Sequence, residues 1–449
     1  MSVTQAPASP RTGGLAAMRI PLLFALVAAL FVGTGVVQSW NLALSIVPMA
    51  IVSAIMAMGV NMQWGYAGLF NVGIMGFVAL GGLAVVLTSA QPAAGGWSAG
   101  GPGILLALLV GAASIAATVV LHGRMRPGRA RTLAVAGLLL GGFVLYRLIF
   151  DPAATAVEAN NPATYGNLGG LGLPSLVSWP VGGLLAAAAA WAIGKTALGL
   201  RSDYLAIATL GIAEIILAVL KNEDWLARGV KNVLQLPRPW PVPMEVELQQ
   251  NPAFLDWAAR WGFDPVSTSG IVVKLAYAGV FAVVLLAVLF LSERALRSPW
   301  GRTMRAIRDN EVAAEAMGKD VTRRHLQVFI LGSAVVGVAG AMMTSYEGQL
   351  TPGSYTPLRY TFLIWMMVIV GGSGNNWGAM LGGFLIFWLF IMVEPIGLWA
   401  IGRVTAGMAD GSWLKAHLLE SAPHMRLIAM GVILLLVLRF SPRGLIPER

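Results

Sequence analysis

The sequence predicts an all-α polytopic membrane protein, a bundle of roughly 10–12 transmembrane helices with Gly-broken or re-entrant segments. Of its 449 residues, 57% are hydrophobic and 11% are charged, whereas about a quarter of the residues in a soluble domain are charged. The apolar residues are collected into about twelve runs, and a bilayer core needs roughly 20 apolar residues per helical span. Because lipid cannot satisfy backbone hydrogen bonds, the spanning runs are expected to be helices.

The apolar runs follow one another along a transmembrane domain at 20–440. The first run follows Arg11 and Arg19 and is longer than the core of a signal peptide, so we expect a first span behind a cytoplasmic tail, residues 1–19. The runs lie at 20–37, 41–60, 67–89, 104–121, 132–150, 176–193, 203–220, 271–291, 326–345, 360–371, 378–398 and 425–440.

Basic residues predict which loops lie in the cytoplasm. Lys and Arg number 30 against 20 Asp and Glu, and in a membrane protein such an excess gathers in cytoplasmic loops. With a cytoplasmic N-terminus and every run spanning, all the basic clusters fall inside, and so does a C-terminal tail at 441–449. Loop 221–270 then lies outside, either as a cap or docking surface or as an unstructured connector. The clusters are at 124–131, 195–201, 294–324 and 439–449.

Two Gly-dense stretches are candidate breaks in the helices. They are "QWGYAGLFNVGIMGFVALGG" (63–82) and "GGSGNNWGAMLGGFLIFW" (371–388), and each has Asn and Gly before an apolar run. Corresponding Gly-interrupted segments in two halves indicate a pseudo-symmetric transporter. Close packing of helices through glycine explains the same composition, and both interpretations remain open.

A carboxylate inside a span is costly and indicates function by default. Glu214 lies in "YLAIATLGIAEIILAVL" (204–220), where Tyr204 and Thr209 are the other polar side chains. Either Glu214 faces an aqueous path or orders a broken helix beside it, or it is hydrogen-bonded between helices for packing alone.

The sequence gives no sign of an enzyme, and we expect no catalytic residue. It contains no cysteine and only four scattered histidines, so we expect no metal site. "AAWAIGKT" (189–196) lacks the first glycine of a phosphate-binding loop, so we expect no ATP on this chain. The net charge of +10 is explained by the cytoplasmic loops, without a nucleic-acid partner.

The charged stretch "SPWGRTMRAIRDNEVAAEAMGKDVTRR" (298–324) belongs to a predicted cytoplasmic loop, 293–325. Ser298 and Pro299 predict the start of a helix that runs to about Arg308. Asp309 or Asn310 can cap a second short helix to about residue 317, and Gly318 can end it in a left-handed conformation. Such a helix suits docking into a groove of another protein, although an interfacial helix on anionic lipid has similar features.

Four landmarks in order resemble the LivM-type inner-membrane permeases of branched-chain amino acid ABC importers. They are "GYAGLFNVGIMGFVALGG" (65–82), "DYLAIATLGIAEII" (203–216), "SPWGRTMRAIRDNEVAAEAMG" (298–318) with "LGSAVVGVAGAM" (331–342), and "VIVGGSGNNWGAMLGG" (368–383). The resemblance implies an ABC-importer permease fold in a bacterial inner membrane. It also implies a second permease subunit, two cytoplasmic ATPases that bind ATP and Mg, and a periplasmic binding protein.

In ABC importers a cytoplasmic "EAA…G" loop forms a coupling helix that sits in a cleft of the ATPase. The resemblance assigns this role to loop 293–325, although Val312 interrupts the motif and no Leu-Pro follows it. The matching residues are Glu311, Ala313, Ala314, Glu315 and Gly318.

The resemblance implies branched-chain or other aliphatic amino acids as cargo, with urea or short amides as the alternative because related permeases carry them. A transporter driven by an ion gradient would need several intramembrane carboxylates, and a receptor or scaffold would not support uptake. The expected substrate pathway consists of Asn71, Gly73, Tyr204, Thr209 and Glu214.

Overall fold

The computed structural model describes residues 14–161, 166–200, 202–408 and 412–448, and most of these residues are helical. A π-helical segment, Leu358–Phe362, precedes α15, and short 3-10 turns lie at Gly229–Lys231, Pro352–Ser354 and Ala422–His424. The α-helices are α1 (Gly14–Val37), α2 (Trp40–Ala67), α3 (Ile74–Ser89), α4 (Ala94–Arg124), α5 (Arg129–Ala159), α6 (Ser175–Ala197), α7 (Ser202–Asn222), α8 (Asp224–Ala227), α9 (Glu245–Gln250), α10 (Pro252–Arg260), α11 (Pro265–Arg297), α12 (Pro299–Asp309), α13 (Glu311–Ala316), α14 (Val321–Glu347), α15 (Leu363–Gly371), α16 (Asn376–Val404), α17 (Trp413–Glu420) and α18 (Met425–Phe440).

These helices confirm the predicted all-α membrane fold. Ten helices in the described ranges are long and apolar enough to cross a bilayer. Two shorter apolar helices, Ile74–Ser89 and Leu358–Gly371, account for the remaining predicted runs. In the described residues, β-structure is limited to isolated bridges between Pro92 and Gly169 and between Val233 and Leu350.

The core is built around α2 and α14, which are largely buried by their neighbours. Small residues allow the backbones to approach closely. A Cβ on Gly59 would lie 2.8 Å from the Gly332 carbonyl oxygen of α14, and a Cβ on Gly81 would overlap the Gly337 carbonyl oxygen. Glycine packing between helices, one of the two interpretations of the Gly-dense stretches, is therefore present.

The helices are also broken, as the other interpretation requires. Residues 68–73 between α2 and α3 are not helical and form the first break, and residues 372–375 between α15 and α16 form the second break. Asn61 of α2, the helix that ends at the first break, contacts the second break: its Oδ1 accepts from Gly374 N at 2.9 Å, and its Nδ2 donates to Asn376 Oδ1 at 3.2 Å. Both readings of the glycine pattern therefore apply to the same segments.

The bundle has two ends. We call the end that carries α12, α13 and both breaks the basic end, because the predicted cytoplasmic cluster 294–324 lies there. At the opposite end, Leu168 N–H donates to the Trp225 carbonyl at 3.1 Å, and Val233 pairs with Leu350. The two short apolar helices adjoin the breaks, Ile74–Ser89 after the first break and Leu358–Gly371 before the second.

Loop 221–270 is folded and is not an unstructured connector. It contains α8, α9 and α10, and Asn251 caps α10 by accepting from Ala253 N at 3.0 Å. Asp264 caps α11 by accepting from Ser267 N at 2.8 Å, and hydrogen bonds from Ser267 lower the pKa of its carboxyl group. The position of this loop outside the membrane stays a prediction.

The two predicted tails differ in the structure. Of the N-terminal tail 1–19, residues 1–13 lie outside the described residues, and α1 already begins at Gly14. The C-terminal tail 441–449 is described to residue 448 and folds back onto the second break. Leu445 N–H and Ile446 N–H donate to the carbonyls of Val370 and Gly371, each at 2.8 Å.

Candidate functional site: the helix breaks and the charged segment

The charged segment α12–α13 has the capping that its sequence predicts. Ser298 Oγ accepts from Gly301 N at 3.4 Å, and Asn310 Oδ1 accepts from Ala313 N at 2.9 Å. Gly318 follows α13 with φ +76°, the left-handed conformation that glycine adopts without strain. The predicted division into two short helices around Asn310 is confirmed.

One side of this segment packs on the bundle, and the other is free. Gly301, Met304 and Ile307 of α12 are buried. Ala314 is 7% exposed in α13, so it faces the bundle and does not form part of the outer surface.

The outer surface of α13 consists of Glu311, Ala313 and Glu315, with Gly318 beyond its end. Two apolar side chains outside the residues matched to the coupling motif, Val312 and Met317, are 76% and 80% exposed there. A surface that combines acidic residues with exposed apolar side chains suits a protein partner better than anionic lipid, which would repel the carboxylates.

The first break is held by buried polar side chains. Asn71 is 0% exposed; its Nδ2 donates to Gln63 Oε1 and its Oδ1 accepts from Gly73 N, both at 2.9 Å. Its own carbonyl accepts from Trp365 Nε1 at 2.9 Å. Gln63 Nε2 in turn donates to Ser333 Oγ at 2.9 Å. Asn71 therefore supports the break from within and does not project into open space.

Thr209 of α7 closes the other side of the first break. Its Oγ1 accepts from Val72 N at 3.1 Å and donates to the Ala206 carbonyl at 3.0 Å. A Cβ on Gly73 would overlap the Thr209 carbonyl oxygen, so glycine is required for this crossing. Of the predicted pathway residues, Asn71, Gly73 and Thr209 are thus brought together at one point.

Tyr204 and Glu214 lie elsewhere on α7. Both are on its exposed side, together with Ile207 and Gly211. In the described part of the chain Glu214 has no hydrogen-bonding or ionic partner. Packing between helices of this chain therefore does not explain the Glu214 carboxylate.

A groove of about 570 Å³ opens between the first break, α7 and the segment before α15. Its lining is almost entirely apolar, and its one hydroxyl, Thr361 Oγ1, donates to the Val72 carbonyl at 3.1 Å. Rings of Phe70 and Trp365 contact one another in the wall, with centroids 4.7 Å apart. The groove can therefore hold an apolar group next to the break.

Sequence reasoning missed Gln63, Thr361, Trp365 and Arg308. Gln63 and Thr361 are polar residues in or beside apolar runs, the same signal that singled out Glu214. Nothing local in the sequence sets Arg308 apart from the neighbouring arginines. In the structure its guanidinium contacts the last turn of α2, just before the first break, and the tail. Although burial lowers its pKa, Glu448 and Asp309 hold that pKa above its usual value.

The sequence of this chain matches a family of transport proteins. A family profile described as "Branched-chain amino acid transport system / permease component" matches residues 133–438. The chain belongs to this permease family. The predicted resemblance to LivM-type permeases is confirmed.

Individual relatives agree with the family. The permease is 27% identical over 268 residues to the "High-affinity branched-chain amino acid transport system permease protein LivM" of Escherichia coli (strain K12). The aligned region covers 60% of this chain and 56% of the relative. It is 32% identical over 195 residues to the "Probable branched-chain amino acid transport permease protein LivM" of Methanocaldococcus jannaschii, which covers 42% of this chain and 53% of the relative.

A second type of permease also matches. The "High-affinity branched-chain amino acid transport system permease protein LivH" of Escherichia coli (strain K12) is 28% identical over 107 residues, or 24% of this chain and 34% of the relative. The matched part of this chain spans little more than half the length of the two LivM relatives. No solved structure matches the chain.

Proposed function

We propose that this permease is one transmembrane subunit of an ATP-driven ABC importer for branched-chain amino acids. Two cytoplasmic ATPases would bind ATP and Mg and hydrolyse the ATP, a periplasmic binding protein would deliver the amino acid, and this chain would carry out no chemistry itself. The observation that carries the proposal is the position of α12–α13, an exposed charged segment that contacts the end of α2 at the first break and, through Glu448 of the tail, reaches the second break.

The outer surface of α13 is the proposed contact with an ATPase. Glu311, Ala313, Glu315 and Gly318 are available there, and Val312 and Met317 add apolar contact area. Ala314 would act indirectly, since it packs α13 on the bundle. In this arrangement the basic end faces the cytoplasm of a bacterium, with both termini on that side of the inner membrane.

The exposed side of α7 is the proposed contact with a second permease subunit, of the LivH type. In the described residues, the other carboxylates in the middle of candidate spans are paired, Asp151 with Arg147 at 3.0 Å and Glu394 with Arg426. Glu214 is unpaired, and an unpaired carboxylate facing lipid is costly. A second permease with a water-filled path along α7 would provide Glu214 with polar surroundings.

The apolar groove supports an aliphatic amino acid as cargo over urea or short amides. Burial of an aliphatic side chain against Phe70, Leu210 and Trp365 is favourable, whereas urea would lose its hydrogen bonds with water. The hydroxyl of Thr361 is already committed to Val72. A transporter driven by an ion gradient is less well supported, because Glu214 is the single unpaired carboxylate in the middle of a candidate span in the described residues.

Reconstitution into liposomes tests the proposal. We expect leucine uptake to require the second permease, the ATPases, the binding protein and ATP, and to be competed by isoleucine and valine but not by urea. Uptake by this chain alone, driven by an ion gradient, would contradict the ABC assignment. Glu214→Gln should reduce uptake or assembly, with Glu420→Gln, a carboxylate outside the long spans, as the control.

A further inference from the structure

We propose that Arg308 is the positioning residue through which movement of the charged segment reaches both helix breaks. The proposal rests on the proposed function, because it assumes that an ATPase moves α12–α13, and it adds the side chain that transmits the movement. Arg308 lies in the last turn of α12 and its side chain is 23% exposed.

Arg308 contacts the first break at the end of α2. Gly68 adopts a left-handed conformation with φ +70°, and its N–H and that of Leu69 turn back to carbonyls of the preceding turn at 2.9 and 3.0 Å. Because Leu69 N–H is used in this way, the Gly65 carbonyl has no partner within the helix. Arg308 Nη1 donates to that carbonyl. Residue 308 is therefore attached to the point where α2 becomes the first break.

Arg308 contacts the second break through the C-terminal tail. Its Nη1 and Nη2 lie 2.9 and 3.2 Å from the two carboxylate oxygens of Glu448. The tail is fixed to the second break: Ile446 N–H donates to the Gly371 carbonyl at 2.8 Å, and Asn375 Nδ2 donates to the Pro447 carbonyl at 3.2 Å.

The type of contact explains why one arginine can couple these parts. The apolar side of α12, Met304 and Ile307, can slide on the bundle, because dispersion contacts have little directionality. A two-pronged guanidinium–carboxylate bond is directional and resists both rotation and separation. In the described residues no other side chain of α12 or α13 bonds to both α2 and the tail. A shift of α12 would therefore move the first and the second break at the same time.

The bond to the tail can be tested on the permease itself. The chain contains no cysteine, so Ile446→Cys places a single thiol at a position that is 3% exposed. We expect Arg308→Gln to release the tail and raise the rate of maleimide labelling about tenfold. Arg302→Gln, the same charge change on the exposed side of the same helix, should leave the rate unchanged. Equal labelling of the two variants would overturn the proposal.

Transport separates a coupling role from simple support of the fold. In the reconstituted importer with leucine, we expect Arg308→Gln to lower uptake per ATP hydrolysed about tenfold, while the ATPases still co-purify and hydrolyse ATP. Arg308→Lys should restore only part of the ratio, because lysine cannot form the two-pronged bond. An unchanged ratio in Arg308→Gln overturns the proposal. If the unmodified importer shows no ATP-dependent uptake, the proposed function fails instead, and the labelling result still reports on the bond.

Discussion

Asn71→Ala is the most direct perturbation of the first break. Asn71 is 0% exposed and makes two side-chain hydrogen bonds of 2.9 Å, to Gln63 Oε1 and from Gly73 N. Alanine leaves both of those partners buried and unsatisfied. Each unsatisfied buried group costs about 1–3 kcal/mol, so we expect the variant to lose about 2–6 kcal/mol of the free energy of unfolding.

The assay is unfolding of the purified permease in mixed micelles with increasing sodium dodecyl sulfate, followed by circular dichroism. Asn222→Ala is the matched control, because Asn222 is exposed and its Nδ2 donates to the Ala218 carbonyl within its own helix, at 2.7 Å. Surface changes of this kind cost about 0.5 kcal/mol or less. If Asn71→Ala is no less stable than Asn222→Ala, the description of the first break as a hydrogen-bonded structure is refuted.

Three further predictions concern packing, assembly and coupling. Gly81→Ala should destabilise the permease by about 1–3 kcal/mol, because the added Cβ would overlap α14. Gly137→Ala should not, because the space around Gly137 is open. The same unfolding assay compares the two variants. Gly211→Trp should leave the isolated permease stable but abolish co-purification of the second subunit, and normal assembly would remove α7 from the proposed interface. Gly318→Pro removes the residue that can adopt φ +76° after α13, because the proline ring fixes φ at a negative value. Glu311→Arg reverses a charge on α13. Each variant should lower uptake per ATP hydrolysed, and normal coupled uptake in both would contradict the docking assignment.

Local features of this fold could be predicted from the sequence. Ser298, Asn310 and Gly318 act within three or four residues of themselves, so the type of residue is enough to predict the ends of α12 and α13. Apolar runs predict the spans for the same reason, since a run of roughly 20 apolar residues is enough by itself to indicate a transmembrane helix. Of the five residues predicted for the substrate pathway, Asn71, Gly73 and Thr209 lie together in the structure, and their role in a pathway stays a prediction.

Contacts between distant parts of the chain could not be predicted. The bond between Val72 and Thr209 joins residues 137 apart in the sequence, and that between Arg308 and Glu448 joins residues 140 apart. The inward orientation of Ala314 depends on how α13 sits on the bundle, which its own short sequence does not determine. Glu214 had two open interpretations, and its place on an exposed helix face became visible only once α7 was packed.

The central claim is that the outer surface of α13 is where an ATPase engages this permease. The most direct measurement is site-specific photo-crosslinking in the assembled importer. A photoreactive residue at Met317 (80% exposed) is compared with one at Trp240, which is 76% exposed at the opposite end. We expect a crosslink to an ATP-hydrolysing subunit from position 317 and none from position 240. Absence of that crosslink from 317, or its appearance from 240, would show that the ATPase does not engage α13.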